Sequence, residues 1–109
     1  LVFASLTFLD GTVASTGNYV PELLVAMKKL AESKDFERAI KLQSLLDKLV
    51  ETARKYGSFS ANYELVRVFQ GYSVGEPRPP IYPLEENEVK ALEAEVRSIK
   101  DGLKSVLDI

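Results

Sequence analysis

The sequence contains no cysteine and no histidine. Without cysteine there is no disulfide, no thiol nucleophile and no thiolate metal site. Without histidine there is no imidazole ligand and no Ser-His-Asp catalysis. Charge of one sign is lacking too: 14 basic side chains stand against 16 acidic ones, a formal net charge of −2. Phosphate backbones demand a clustered excess of Lys and Arg, so nucleic acid is not expected as a partner. No run approaches the roughly 20 apolar residues of a membrane span. The apolar opening Leu1-Val2-Phe3-Ala4-Ser5-Leu6 has no basic region ahead of it, as a secretory signal would. An apolar fraction of 46% over 109 residues fits one small domain and is too high for disorder. A chain that begins at Leu1, inside an apolar run, reads as a piece of a larger one.

Residues 1–9 are apolar with little periodicity, so strand and buried helix stay open there. After the turn signal Asp10-Gly11, the run Thr12-Val13-Ala14-Ser15-Thr16 is small and β-branched and is expected as one strand. Pro21 suits the first turn of a helix, and Leu23, Leu24, Met27 and Leu30 form its apolar stripe. Ser33-Lys34-Asp35 breaks it, with Asp35 or Ser33 capping the next helix. Phe36, Ile40, Leu42, Leu45, Leu46, Leu49, Val50, Ala53 and Tyr56 are expected on that helix's buried face, with Gly57 as its left-handed stop. A third helix is expected from about Ser60 to Gln70, ending at Gly71. It is apolar nearly all round, which implies burial on more than one side. Gly75 to Pro83 holds four of the five prolines and is an extended connector. A last helix begins near Glu85 or Glu86. Its residues Val89, Leu92, Val96, Ile99, Leu103 and Val106 form a narrow seam, weakened at Gly102.

A strand needs partners for its backbone groups, supplied here by residues 1–9 or by chain that is not present. One strand followed by several helices is the pattern of an α/β protein with a helical extension. No catalytic constellation stands out. Lys28-Lys29 and Arg54-Lys55 read as solvated helix faces. Glu85, Glu86 and Glu88 read as acids placed at a helix start rather than as metal ligands. Tyr56, Tyr63, Tyr72 and Tyr82 read as packed rings with hydrogen-bonded hydroxyls. Two patterns stand slightly above this background. If the strand belongs to an α/β barrel, its C-terminal end, with Ser15 and Thr16, faces a pocket. Arg54 and Ser58, one turn apart at a helix C-terminus, could hold an anion, although an Arg there also suits the helix dipole alone.

The stretch Gly11-Thr-Val-Ala-Ser-Thr-Gly-Asn18-Tyr-Val-Pro21-Glu-Leu23 resembles the last barrel strand and following helix of the dihydrodipicolinate synthase / N-acetylneuraminate lyase superfamily. Phe69-Gln-Gly71-Tyr-Ser-Val-Gly75-Glu-Pro-Arg78-Pro-Pro80-Ile-Tyr-Pro83-Leu84 resembles the proline-rich crossing of that family's C-terminal extension. In wording, both resemble the archaeal 2-keto-3-deoxygluconate (KDG/KDPG) aldolases, as do Leu42-Gln-Ser-Leu-Leu-Asp47 and the stretch from Arg54 to Tyr63. The resemblance implies an α/β fold: the C-terminal part of a (β/α)₈ barrel, mostly helical within this chain. Residues 1–33 would then supply helix seven, strand eight and helix eight, and residues 34–109 the helical extension. Residues 1–9 become helix seven, which overrules the strand left open above.

The same resemblance implies a class I aldolase acting on 2-keto-3-deoxygluconate and its 6-phosphate. A lysine Schiff base with pyruvate would serve as electron sink, with no cofactor and no metal. Whole barrels run to roughly 250 residues, and neither the Schiff-base lysine nor the catalytic tyrosine is matched here, so no catalytic residue is expected in this chain. Val13, Ala14 and Ser15 match the pocket-lining end of strand eight and are expected to bind substrate. Arg54 and Ser58 match a terminal-phosphate site, for which a guanidinium beside a hydroxyl is apt chemistry. The expected partners are a sugar-acid substrate, pyruvate, the missing part of the barrel and three further subunits of a homotetramer. The absence of Cys fits a cytoplasmic location. The alternatives are a sister lyase such as dihydrodipicolinate synthase, or a non-catalytic helical interaction module if the chain exists alone.

Overall fold

Proline has a fixed φ and no amide proton, so it costs nothing in the first turn of a helix. Pro21 opens α1 (Pro21–Glu32) in this way. The computed structural model describes residues 7–107. After a 3₁₀ turn at Ser15–Asn18 and α1, the chain forms α2 (Phe36–Lys55), α3 (Ser58–Gln70) and α4 (Glu86–Leu107).

The junctions are set by short-range chemistry. Asp35 caps α2, its carboxylate accepting the Arg38 amide at 3.3 Å. Gly57, at φ 77°, turns the chain from α2 directly into α3. Gly71 ends α3 in the left-handed conformation and donates its amide to the Arg67 carbonyl at 3.0 Å. At the start of α4 the Glu88 carboxylate reaches back to the Glu85 amide at 3.2 Å, while Val89 N–H donates to the Glu85 carbonyl at 2.9 Å. That reach-back satisfies a donor that a helix start otherwise leaves open.

The core is one continuous cluster. Leu23 and Met27 of α1, Leu42, Leu46 and Leu49 of α2, Leu65 of α3, and Leu92 and Val96 of α4 all belong to it, with Tyr19 ahead of α1. The helix α2 touches α1, α3 and α4. Polar ties lock α3 and α4 together: the Lys100 ammonium donates to the Val68 carbonyl at 2.7 Å, and Arg67, paired within α3 to Glu64, also pairs with Glu93 of α4.

Three expectations are corrected. Thr12-Val13-Ala14-Ser15-Thr16 is not a strand, and no strand exists among the described residues. Ala14 keeps extended dihedrals (φ −138°, ψ 134°), but the chain then tightens into the 3₁₀ turn and Val13 is wholly exposed. The physical reason is that a ladder needs a second strand. Phe36 and Ile40 do not join the buried face of α2; they are 42% and 55% exposed. The buried line runs through Ala39, Leu42, Leu46, Leu49 and Ala53, and Ile40 stands about 100° off it around the helix. Phe36 occupies the first position of the helix. Thr52 is buried on this line instead, its hydroxyl donating to the Lys48 carbonyl at 2.8 Å. Val106, expected in the α4 seam, is 45% exposed in the final turn. Most of the helix expected over residues 1–9 lies outside the described residues; Thr7 and Phe8 are helical. No helix among the described residues is long and apolar enough to cross a membrane.

The helix α4 runs unbroken through Gly102, where an added Cβ would stand 3.9 Å from Leu45 Cδ2, an ordinary contact. Gly102→Ala should therefore raise the unfolding free energy by about 0.5–1 kcal/mol. Denaturant midpoints check this, and a lowered midpoint would mean that the α2–α4 contact cannot admit a methyl group.

Candidate functional site

The 3₁₀ turn is held by its own backbone. Gly17 N–H donates to the Ala14 carbonyl at 3.0 Å, and the Thr16 carbonyl accepts the amides of Tyr19 and Val20 at 3.2 and 2.9 Å. Gln70, from the end of α3, donates its side-chain amide to the Tyr19 carbonyl at 3.0 Å and to the Glu22 carboxylate at 3.3 Å. This fixes the turn against the C-terminal end of α3. Ser15 points outward and Ala14 is half-buried. Thr16 faces inward, and its hydroxyl has no hydrogen-bond partner among the described residues. Val13, Ala14 and Ser15 thus form one edge just ahead of α1, exposed at Val13 and Ser15 and half-buried at Ala14.

Arg54 and Ser58 lie at a different junction. Arg54 is in the last turn of α2 and Ser58 is the first residue of α3, with Gly57 between them donating to the Arg54 carbonyl at 3.2 Å. Both side chains are exposed. The neighbouring Lys55 is engaged: its ammonium stands 3.2 Å from Glu95, whose other oxygen accepts the Tyr56 hydroxyl at 2.6 Å. Arg54 forms no ion pair with any described residue. The first helical amide of α3 with an intrahelical acceptor is Ala61, which donates to the Gly57 carbonyl. The amides of Ser58, Phe59 and Ser60 precede it, at the positive end of the helix dipole. A free guanidinium, a hydroxyl and a helix N-terminus together suit a dianionic oxygen ligand. Sequence reasoning missed the helix N-terminus because it started α3 two residues late, at Ser60. The glycine before Ser58 was the available signal.

The electrostatics separate a committed cluster from an uncommitted cation. The Tyr56 hydroxyl, and secondarily Lys55, hold the Glu95 carboxyl below the usual carboxylate range. In return, the Glu95 bond raises the Tyr56 phenol above its ordinary value. Tyr19 is pushed up to about 12 by burial. No cluster of three or more acids could hold a metal among the described residues. Glu86 pairs with Lys90 at 3.1 Å, and Glu88 serves the helix start. No lysine is buried; Lys100 is half-buried and the other eight are exposed.

Residues 4–99 match the dihydrodipicolinate synthetase family. A 2-dehydro-3-deoxy-phosphogluconate/2-dehydro-3-deoxy-6-phosphogalactonate aldolase of Sulfurisphaera tokodaii is 51% identical over 104 residues, covering 95% of this chain and 36% of its own length. A 2-dehydro-3-deoxy-D-gluconate/2-dehydro-3-deoxy-phosphogluconate aldolase of Thermoproteus tenax is 51% identical over 105 residues, covering 95% of this chain and 34% of its own. The solved complex of Sulfolobus solfataricus 2-keto-3-deoxygluconate aldolase with D-KDPG superposes with a TM-score of 0.94 at 43% identity, over 97% of this chain and 36% of that one. The chain spans about a third of the length of the curated relatives it matches.

The phenols give a direct check on the packing. A raised pKa favours the neutral phenol in the folded state. The stability Tyr19 contributes is therefore complete below the ordinary tyrosine value of 10.0 and lost as pH rises through about 12. In an absorbance titration of tyrosinate, Tyr19→Phe should remove the last phenol to ionise, and Glu95→Gln should move Tyr56 to lower pH. An alkaline limb unchanged by Tyr19→Phe would contradict the burial of that ring.

Proposed function

This chain belongs to the dihydrodipicolinate synthetase family, and from that premise we propose that it is the C-terminal segment of a class I aldolase. The substrate is 2-keto-3-deoxygluconate together with its 6-phosphate, cleaved reversibly to pyruvate and glyceraldehyde or glyceraldehyde 3-phosphate. The observation that carries this reading is the junction of α2 and α3. There Arg54, without an ion pair among the described residues, ends α2 four residues before Ser58 opens α3, in a chain half identical to aldolases named for phosphorylated sugar acids.

In this proposal residues 1–33 close the barrel and residues 34–109 form its helical extension. The edge at Val13, Ala14 and Ser15 pairs into the barrel as its eighth strand and lines the keto-acid end of the pocket. Arg54 and Ser58 receive the terminal phosphate. The guanidinium supplies charge and paired donors, and the hydroxyl with the α3 amides supplies directed hydrogen bonds. A lysine in the remainder of the protein forms the Schiff base with pyruvate, which takes up the electrons of the broken C–C bond without metal or cofactor. The extension helices also supply packing surface for a homotetramer, and the enzyme is cytoplasmic.

Borohydride reduction in the presence of pyruvate should trap an adduct on the full-length protein and none on the 109-residue chain alone. An adduct on this chain, or none on the full-length protein, would overturn the reading. Preference for aspartate semialdehyde over glyceraldehyde as the acceptor would make the protein a sister synthase instead. Arg54→Ala should cut kcat/KM for the 6-phosphate about tenfold or more beyond its effect on the unphosphorylated acid. Equal losses would remove the phosphate assignment.

A further inference from the structure

The joint between α2 and α3 is a swivel that its own residues do little to hold. Gly57 takes φ 77° and ψ 103°, and beyond its chain neighbours no atom lies within 4 Å of where a Cβ would stand. A glycine in open space has wide conformational freedom, so the path from Arg54 to Ser58 needs a restraint from outside. One carboxylate supplies it. Glu95, on α4, accepts the Tyr56 hydroxyl at 2.6 Å on one oxygen and the Lys55 ammonium at 3.2 Å on the other. Tyr56 closes α2, its amide donating to the Ala53 carbonyl at 3.2 Å and its half-buried ring packing against the core cluster. Among the described residues, no side chain other than Glu95 reaches from outside residues 54–58 to hydrogen-bond to them.

We infer that Glu95 is a positioning residue for the terminal phosphate: by holding Tyr56 and Lys55 from α4, it fixes how the last turn of α2 and the first turn of α3 present Arg54 and Ser58. This rests on the proposed function of that pair and extends it to a residue that never touches the ligand. A carboxylate repels a phosphate, so Glu95 acts only through the residues it holds. It also occupies Lys55, which leaves Arg54 as the uncommitted cation of the joint. The hold is firm at short range. A hydroxyl on an ionised carboxylate makes a short bond, roughly twice as strong as a neutral one. The Tyr56 bond, and secondarily Lys55, keep the Glu95 carboxyl below its usual range and hence charged at neutral pH. Exposed pairs of this kind add little to stability. A binding group displaced by about 1 Å, in contrast, can cost about a hundredfold in rate. Loss of Glu95 should therefore register in phosphate recognition and leave the unfolding midpoint nearly unmoved.

The test uses the full-length enzyme cleaving the sugar acid and its 6-phosphate. Glu95→Ala should raise KM for the 6-phosphate about fivefold or more while kcat, and both constants for the unphosphorylated acid, stay within about twofold. Glu95→Gln keeps an oxygen for the Tyr56 hydroxyl and should recover most of the loss. Tyr56→Phe, which removes the hydroxyl and keeps the packed ring, should reproduce it. In an Arg54→Ala background, Glu95→Ala should add less than about twofold, because a residue that acts through Arg54 has little left to act on. Equal losses with both substrates, no loss with either, or a fully additive loss in the Arg54→Ala background would overturn the inference and leave the phosphate site standing. An Arg54→Ala enzyme that fails to discriminate the two substrates would overturn the site and the inference together.

Discussion

The buried line on α2, running through Leu42, Leu46, Leu49 and Ala53, is the constraint on which the other elements depend, because α1, α3 and α4 each pack against α2. A helix that must serve three neighbours has few free positions on its inner side, and Thr52 is accepted there only because its hydroxyl returns to the Lys48 carbonyl. The same line fixes where α2 can end. Once Ala53 is buried, the next turn carries Arg54 outward, Lys55 and Tyr56 toward Glu95 on α4, and Gly57 into the reversal that starts α3. The candidate anion site follows from that packing: the end of α2 and the start of α3 set Arg54 and Ser58 on either side of Gly57.

The junctions of this fold were legible in the sequence because each rests on chemistry local to a few residues. Pro21, Asp35, Gly57, Gly71 and the Glu85–Glu88 pair act within one turn of themselves. The stripes of α1 and α4 were legible for the same reason, since Leu23, Met27, Leu92, Val96, Ile99 and Leu103 repeat at helical spacing and are buried. What was not legible depends on partners distant in the chain. Thr12–Thr16 has β-prone residues, but a ladder is a property of two segments. Phe36 and Ile40 are apolar, and only the placement of α1 and α4 decides that Ala39 is covered and they are not. At the candidate site the residue types at Arg54 and Ser58 were visible. The N-terminal amides of α3 emerged only from the chain's path.

The structure also divides labour along the chain. Residues from Tyr19 to Leu103 share one buried cluster, so the helical body holds itself together. Ahead of it, Phe8, Leu9 and Val13 are exposed apolar side chains, and Ala14 is extended without a ladder. In the proposed enzyme this edge is what the rest of the barrel covers. In that proposal the chain lines the pocket and receives the terminal phosphate, and the lysine chemistry comes from the remainder of the protein.

Amide hydrogen exchange at Thr12–Thr16 tests that division most directly, compared between the 109-residue chain and the full-length protein. The account predicts fast exchange at these amides in the chain alone, where no ladder holds them, and strong protection in the full-length protein, where the strand is paired. Fast exchange in both would contradict it, and so would protection already present in the chain alone.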